Sequence, residues 1–311
     1  MSQLARQSDA ALPDGVALQL TTPSRLAPWC ELVKARITAM VAITAFVGYA
    51  LGIAATPDLR WPWLELFAML AGVSCSCMGA AVLNQIYERD TDALMRRTCH
   101  RPLPAGRIGV REALLGGLLL CLAGVAMLLL THWVAAAVSL FTMLSYALIY
   151  TPLKRVTVWN TWVGAVPGAL PPVIGYAAAT GKLGLAGWLI FAIMAVWQVP
   201  HFLAICWLYR EDYARADLKM LPVLDGVDGR RTFTQIFWGC LILLPLGLLP
   251  TLLGVSGWLY FAAALGCGLA FLGFGINLIR RRTRPAARRL FFASLAYLPV
   301  VLIFMLIDRV S

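Results

Sequence analysis

Residues 63–92 read WLELFAMLAGVSCSCMGAAVLNQIYERDTD, and the two halves of that stretch obey different rules. From Trp63 to Leu83 the chain is apolar but for Glu65 near its start and two serines, and a bilayer core of about 30 Å needs about 20 such residues to be crossed as a helix. From Asn84 onward it turns polar and carries Glu88, Asp90 and Asp92 within five positions. Acids contribute little to membrane topology and are costly beside lipid. A cluster of them at the end of a membrane span therefore calls for a chemical reason.

Similar apolar runs lie on either side, near 37–55, 113–131, 133–150, 159–179, 186–207, 233–253, 257–279 and 290–307. With 63–83 they make nine, and they predict an all-α, polytopic membrane protein of nine transmembrane helices spanning 29–311. The composition agrees: 60% of the 311 residues are hydrophobic and 13% charged, against about 45–50% and about 25% in soluble domains. Residues 1–28 are polar and rich in Pro, Ser and Gln, and read as a disordered cytoplasmic tail.

A net charge of +11 in a soluble protein would suggest nucleic acid as partner. Here the placement of the charges points to the lipid bilayer instead. With the N-terminus inside, all Lys and Arg except Arg60, Lys182 and Arg309 fall on the cytoplasmic side, as the positive-inside rule demands. Trp61, Trp63, Trp133, Trp188 and Trp258 then mark the starts of even-numbered helices at the opposite interface, where Trp is enriched. None of the eight cysteines falls in an outer loop, so no structural disulfide is expected.

Two inner connections, 84–112 and 208–232, are long and rich in both charge signs. Asn84, Glu88 and Asp92 are spaced four apart and share one helix face, about 6 Å between neighbours. Such a row of oxygen ligands suits Mg²⁺, which takes a few carboxylates together with substrate phosphates. Asp90 joins them only where the helix ends or unwinds. Arg97 and Arg101 follow closely, and Arg matches phosphate oxygens in bidentate fashion. The second loop repeats the mixture, with Glu211, Asp212, Asp217, Arg210, Arg215 and Lys219. Asp212 is the natural partner of the first acidic row, since two acidic sites on one membrane face can share a diphosphate. Lys154 and Arg155, on the same side, either neutralise phosphate or only fix topology. The fifth helix carries Gly164, Pro167, Gly168, Pro171, Pro172 and Gly175. Broken backbone of that kind is tolerated where it lines a protein cavity, and small residues alternatively allow close helix packing. The Arg280–Arg289 loop has no acid and reads as a topology and anionic-lipid signal.

Taken together, these residues resemble the UbiA-type intramembrane prenyltransferases and, within them, the protoheme IX farnesyltransferases. The match rests on Asn84-x-x-x-Glu88-x-Asp90-x-Asp92, Met95-x-Arg97-Thr98-x-x-Arg101-Pro102-Leu103, Tyr150-Thr151 with Lys154-Arg155, Gly168 to Tyr176, Trp197-Gln198-x-Pro200-His201-Phe202, and Asp212-Tyr213 with Leu221-Pro222-Val223. Family members usually have Lys-Pro-Arg-Ile where this chain has Lys34-Ala35-Arg36-Ile37, and a small residue where Asp217 stands. The resemblance implies a UbiA-type helical bundle in a bacterial inner membrane. It implies farnesyl diphosphate and haem b (protoheme IX) as substrates, and Mg²⁺ held by Asn84, Glu88, Asp92 and Asp212. Arg97, Arg101, Lys154 and Arg155 would be diphosphate partners, with haem A synthase or a terminal oxidase assembly protein nearby in the pathway. His201 then either touches haem or is a polar packing group. A UbiA-type enzyme for an aromatic acceptor would share the diphosphate site. A transporter would need ionisable groups at mid-depth, of which these helices have almost none, their charges clustering in the inner loops.

Overall fold

The computed structural model describes residues 26–56, 62–226 and 228–310. Most of the expected tail at 1–28, together with Arg60 and Trp61, lies outside the described residues. Residues 26–28 open a short helix, α1 (Leu26–Leu32). Among the described residues nine helical spans are long and apolar enough to cross a membrane. They are α2 (Ala35–Ala54), α3 (Trp63–Leu94), α4 (Val110–Leu129), α5 (Trp133–Leu144) with its continuation to Leu153, the pair α7 (Asn160–Ala169) and α8 (Pro171–Thr180), α9 (Leu185–Leu208), α12 (Arg230–Leu252), α13 (Trp258–Arg281) and α14 (Arg284–Ile307). Short helices α6 (Thr151–Leu153), α10 (Arg210–Arg215) and α11 (Leu221–Leu224) belong to the ends of the bundle that carry the charged loops.

Two features follow directly from sequence. Helix α3 runs eleven residues past the apolar limit at Leu83, because nothing in Asn84–Asp92 breaks a helix, so the acidic row is presented on regular helical backbone. The fifth span breaks at Leu170, just ahead of Pro171 and Pro172, whose rings cannot sit on an uninterrupted helical ladder.

Both functions suggested for the glycines of that span are present. At the crossing of α2 and α8, a Cβ on Gly48 would run into the Pro172 carbonyl, and one on Gly175 into that of Ala45. Glycine there lets the two backbones touch, the usual way helices associate where lipid offers no hydrophobic drive. Gly164, Pro167, Gly168 and Pro171 instead face a cavity inside the bundle.

One core is built from α9, α12, α13 and α14 around Ile190, Ile193, Leu203, Ile236, Phe271 and Val301, and a second from α2, α3, α5 and α8 around Tyr49, Met69, Ala135 and Ala177. Outward-facing positions are also apolar, such as Leu115, Leu119 and Leu122 on α4, as lipid requires. Trp63, Trp133, Trp188 and Trp258 are exposed at the starts of their helices, all at one end of the bundle. The eight cysteines are free.

Candidate active site

Asn84, Glu88 and Asp92 are buried, and all three line one cavity of about 600 Å³ that runs into the bundle from the end opposite the tryptophans. Each is held by a cation from a different segment. Lys34 Nζ reaches Asn84 Oδ1 at 3.3 Å, Lys154 Nζ reaches Glu88 Oε1 at 2.6 Å, and Arg101 Nη1 reaches Asp92 Oδ2 at 2.7 Å. The four-residue spacing of α3 thus becomes a row of oxygens matched by a row of positive charges.

Local backbone explains why those cations arrive there. Lys34 sits at φ 51°, in the left-handed region, where the chain turns from α1 into α2. Lys154 follows a π turn at Ser145–Tyr150, and such turns shift side chains by one position and often occur at functional sites. That shift brings Tyr146, Tyr150 and Lys154 to the cavity together, with the Lys154 ammonium 4.6 Å from the Tyr150 ring centre. Thr98 ends α3 by donating its hydroxyl to the Asp92 carbonyl at 2.9 Å, which turns the following loop back so that Arg101 meets Asp92.

Asn84 is oriented by a relay. Thr151 donates its hydroxyl to the Tyr146 carbonyl at 2.8 Å and accepts from Asn84 Nδ2 at 3.0 Å. The amide nitrogen is therefore committed, and Oδ1 is left toward Lys34 and the cavity.

Four cations, Lys34, Arg97, Arg101 and Lys154, face two carboxylates, Glu88 and Asp92, at this mouth. The positive excess suits a polyanion. Burial pushes the Lys34 ammonium down to about 8, and the neighbouring Arg101 pushes it the same way. Arg97 is placed by Tyr213, whose hydroxyl accepts from its Nη2 at 3.2 Å, and its guanidinium lies 4.9 Å from the Tyr209 ring centre. Farther in, the walls become apolar, with Met40, Val73, Met143 and Ile174.

Asp90, Arg155 and Asp212 are not brought to the cavity lining. Asp90 faces solvent and pairs with Arg89 at 3.0 Å, because the helix stays regular through it. Arg155 is exposed and stacks on Tyr87, 5.2 Å from its ring centre. Asp212 is buried, but its carboxylate is bound by Arg215 at 2.5 Å, one turn along α10. The second acidic segment does reach the site through its backbone. Lys219 N donates to the Lys154 carbonyl at 2.8 Å, and Leu218 and Met220 line the cavity. Asp217 is exposed, pairs with Lys219 at 2.7 Å and adopts φ 48°, a conformation that favours glycine. Lys34 and Tyr146 were not picked out from sequence as site residues. Lys34 lies within the Lys-x-Arg-Ile motif, which was the available signal.

His201 lines the cavity deeper in, on α9. Its Nδ1 is 2.6 Å from Ser294 Oγ, and the ring stacks on Trp197 with centres 4.8 Å apart. Ser294 gives its one hydroxyl proton to the Phe291 carbonyl at 2.5 Å, so it accepts from His201. Nδ1 then carries the hydrogen, and Nε2 is the lone-pair nitrogen of the neutral ring.

Among the described residues no three His, Cys, Asp or Glu side chains are grouped to bind a metal by themselves. The residues nonetheless fit an ion that takes part of its shell from a substrate. Asp92 Oδ1 is buried with no hydrogen-bond partner, an oxygen left over for a ligand beside Glu88 and Asn84 Oδ1.

A family model described as the UbiA prenyltransferase family matches residues 41–297. A protoheme IX farnesyltransferase of Solibacter usitatus (strain Ellin6076) is 44% identical over 289 residues, covering 90% of this chain and 98% of that protein. One from Opitutus terrae is 42% identical over 294 residues, covering 93% and 98%. Among solved structures, digeranylgeranylglyceryl phosphate synthase superposes with a TM-score of 0.76 at 17% identity, covering 91% of this chain and 98% of that one. A UbiA homolog from Archaeoglobus fulgidus bound to GPP and Mg²⁺ gives 0.64 at 17% identity, covering 90% and 99%. At such identities the structural likeness speaks for the fold alone.

Proposed function

The chain belongs to the UbiA prenyltransferase family, and on that premise we propose that it transfers the farnesyl group of farnesyl diphosphate to a vinyl group of haem b, with addition of water. The observation that carries this reading is the joining of a cation-rich mouth to a largely apolar cavity of about 600 Å³ within a membrane bundle. That volume lies within the range of about 300–1,000 Å³ typical of ligand sites.

The diphosphate binds at the mouth, where Lys34, Arg97, Arg101 and Lys154 supply the charge that receives it as leaving group. Asn84, Glu88 and Asp92 are the residues that would hold Mg²⁺, and Asp92 Oδ1 is the free donor among them. Asp212 would join the set only on leaving Arg215, a guanidinium that a phosphate would draw away. When bound, Mg²⁺ supplies Lewis-acid neutralisation of the diphosphate. The farnesyl chain lies along the apolar walls. Its C1–O bond breaks, the electron pair leaves with the diphosphate, and the allylic cation is kept from water by the surrounding helices. The haem vinyl group gives its π electrons to C1, and water then adds to the haem-side cation and loses a proton. His201 is the candidate for contact with haem, a reading supported by its position on the cavity wall and by the lone pair left on Nε2.

The distribution of Lys and Arg supports an orientation with the N-terminus and the site toward the cytoplasm, in a bacterial inner membrane. The product would pass to a haem-modifying enzyme such as haem A synthase, or to a terminal oxidase.

The test is turnover. Membranes carrying the protein are given haem b, farnesyl diphosphate and Mg²⁺, and the extracted haems are resolved by chromatography and mass. The expected product is heavier than haem b by a farnesyl group plus water. Diphosphate release onto a phenolic acceptor, with no new haem, would assign the chain to an aromatic-acceptor activity instead.

A further inference from the structure

At the end of the bundle that holds the acidic motif, but on its opposite half, eight arginines crowd the inner ends of α12, α13 and α14: Arg230, Arg231, Arg280, Arg281, Arg282, Arg284, Arg288 and Arg289. None of these arginines lines the catalytic cavity, so this charge has no part in holding the diphosphate. Nor do the acids nearby absorb it. Asp225 is spent on the N-terminus of α12, accepting from Thr232 N at 2.6 Å. Asp228 is solvent-exposed and reaches Arg282 only at 4.0 Å.

Between the ends of α12 and α13 lies a shallow groove of about 260 Å³, lined by Arg230, Phe233, Thr234, Phe237, Ile279 and Arg282. Its two guanidinium-bearing residues sit at the rim, and its floor is aromatic and aliphatic. Arg282 is fixed in that position rather than free. It caps α13 at φ 51°, a conformation that favours glycine, with its guanidinium 5.4 Å from the Phe233 ring centre and its Nε donating to the Ile279 carbonyl at 3.4 Å. One turn further along α12, on the surface that faces lipid, come exposed Trp238 and Ile242.

We propose that this groove binds one anionic phospholipid, with its phosphate between Arg230 and Arg282 and an acyl chain over Phe233, Phe237 and Ile279. Charge complementarity names the occupant. A free phosphate would satisfy the arginines but leave the apolar floor wet, and a zwitterionic lipid would satisfy the floor but carry its own cation to the rim. Basic pockets between membrane helices near the interface have the form that anionic head groups take up.

The experiment uses the full chain purified in neutral detergent, titrated with phosphatidylglycerol, phosphatidylcholine or inorganic phosphate, and read by native mass spectrometry and thermal unfolding. Phosphatidylglycerol should be retained and raise the unfolding temperature, while the other two should not. Arg230→Gln combined with Arg282→Gly should weaken that retention by about 30-fold, from about fivefold per arginine. The glycine suits the left-handed cap, so the fold should survive. Arg230→Gln alone leaves the cap untouched and should give a smaller loss of the same kind. Arg288→Gln with Arg289→Gln removes equal charge outside the groove and should retain the lipid. Turnover of the groove variants in neutral detergent should match the parent. Equal retention of phosphatidylcholine, equal stabilisation by phosphate, or equal loss in the Arg288/Arg289 variant would each overturn the proposal.

Discussion

Asn84 Nδ2 donates to Thr151 Oγ1 across 3.0 Å, and because Thr151 spends its own proton on the Tyr146 carbonyl, the bond runs in one direction. The consequence is a buried amide that cannot flip without stranding its nitrogen, so Asn84 Oδ1 is pinned toward the cavity. Thr151→Val keeps the shape and removes the acceptor. Turnover should fall by about 10–100-fold, the scale of losses when a ligand's orienting partner is removed. The Mg²⁺ concentration for half-maximal rate should rise, a change that loosened packing alone would not produce. Thr151→Ser should restore both. Unchanged Mg²⁺ dependence in the valine variant would leave Thr151 a packing residue.

Asp92 has one oxygen on Arg101 and one on nothing. Asp92→Ala should leave the bundle folded and abolish turnover, a loss of at least about 100-fold, as when a preorganised charge-stabilising group is deleted. Chelation of Mg²⁺ should abolish turnover of the parent, and added Mg²⁺ should restore it. Asp212→Ala should also lower turnover and raise the Mg²⁺ requirement. Normal Mg²⁺ dependence in that variant would remove Asp212 from the ligand set and leave it as the partner of Arg215.

The sequence made the fold readable because hydrophobic length is a local property. Runs such as 186–207 and 63–83 appear as α9 and the first part of α3, to within a few residues at their starts. The acidic row was readable for a similar reason. A four-residue spacing on an unbroken helix puts Asn84, Glu88 and Asp92 on one face whatever lies around them. Less was legible where partners are distant in sequence. Lys34 is 50 residues from Asn84, and Lys154 is 66 from Glu88. The turns that deliver them, a left-handed residue and a π turn, have no strong signature in Lys, Ser or Tyr. The Asp212–Arg215 pair is local, but spacing alone does not say whether an aspartate three residues before an arginine will face it or a ligand.

Lys34 combines an uncomfortable backbone with a useful side chain. A non-glycine residue at φ 51° costs on the order of 1–2 kcal/mol relative to the right-handed region. Lys34→Gly should therefore unfold at the same temperature as the parent or higher, despite losing the bond to Asn84. Its affinity for farnesyl diphosphate should still drop, by about tenfold or more, because one of four cations at the mouth is gone. Stability and a KM for farnesyl diphosphate, measured on the same sample, check the two halves. A variant both stable and fully active would mean that Lys34 only turns the chain.

His201 gives the clearest handle on the acceptor. The Ser294 hydroxyl is committed to the Phe291 carbonyl, so the ring hydrogen sits on Nδ1 and the Nε2 lone pair is available on a residue that lines the cavity. A histidine whose far nitrogen is anchored by a hydrogen bond is the usual arrangement for a metal ligand. Haem b added to the purified protein should therefore show a ligated absorption spectrum that His201→Ala loses, while farnesyl diphosphate binding stays near the parent value. Ser294→Ala should keep the ligated spectrum but bind haem about 10–100-fold more weakly, since the ring is no longer held in one tautomer and orientation. If the alanine variant at 201 binds haem with an unchanged spectrum, the histidine packs against Trp197 and Phe291 and the iron is held by something else.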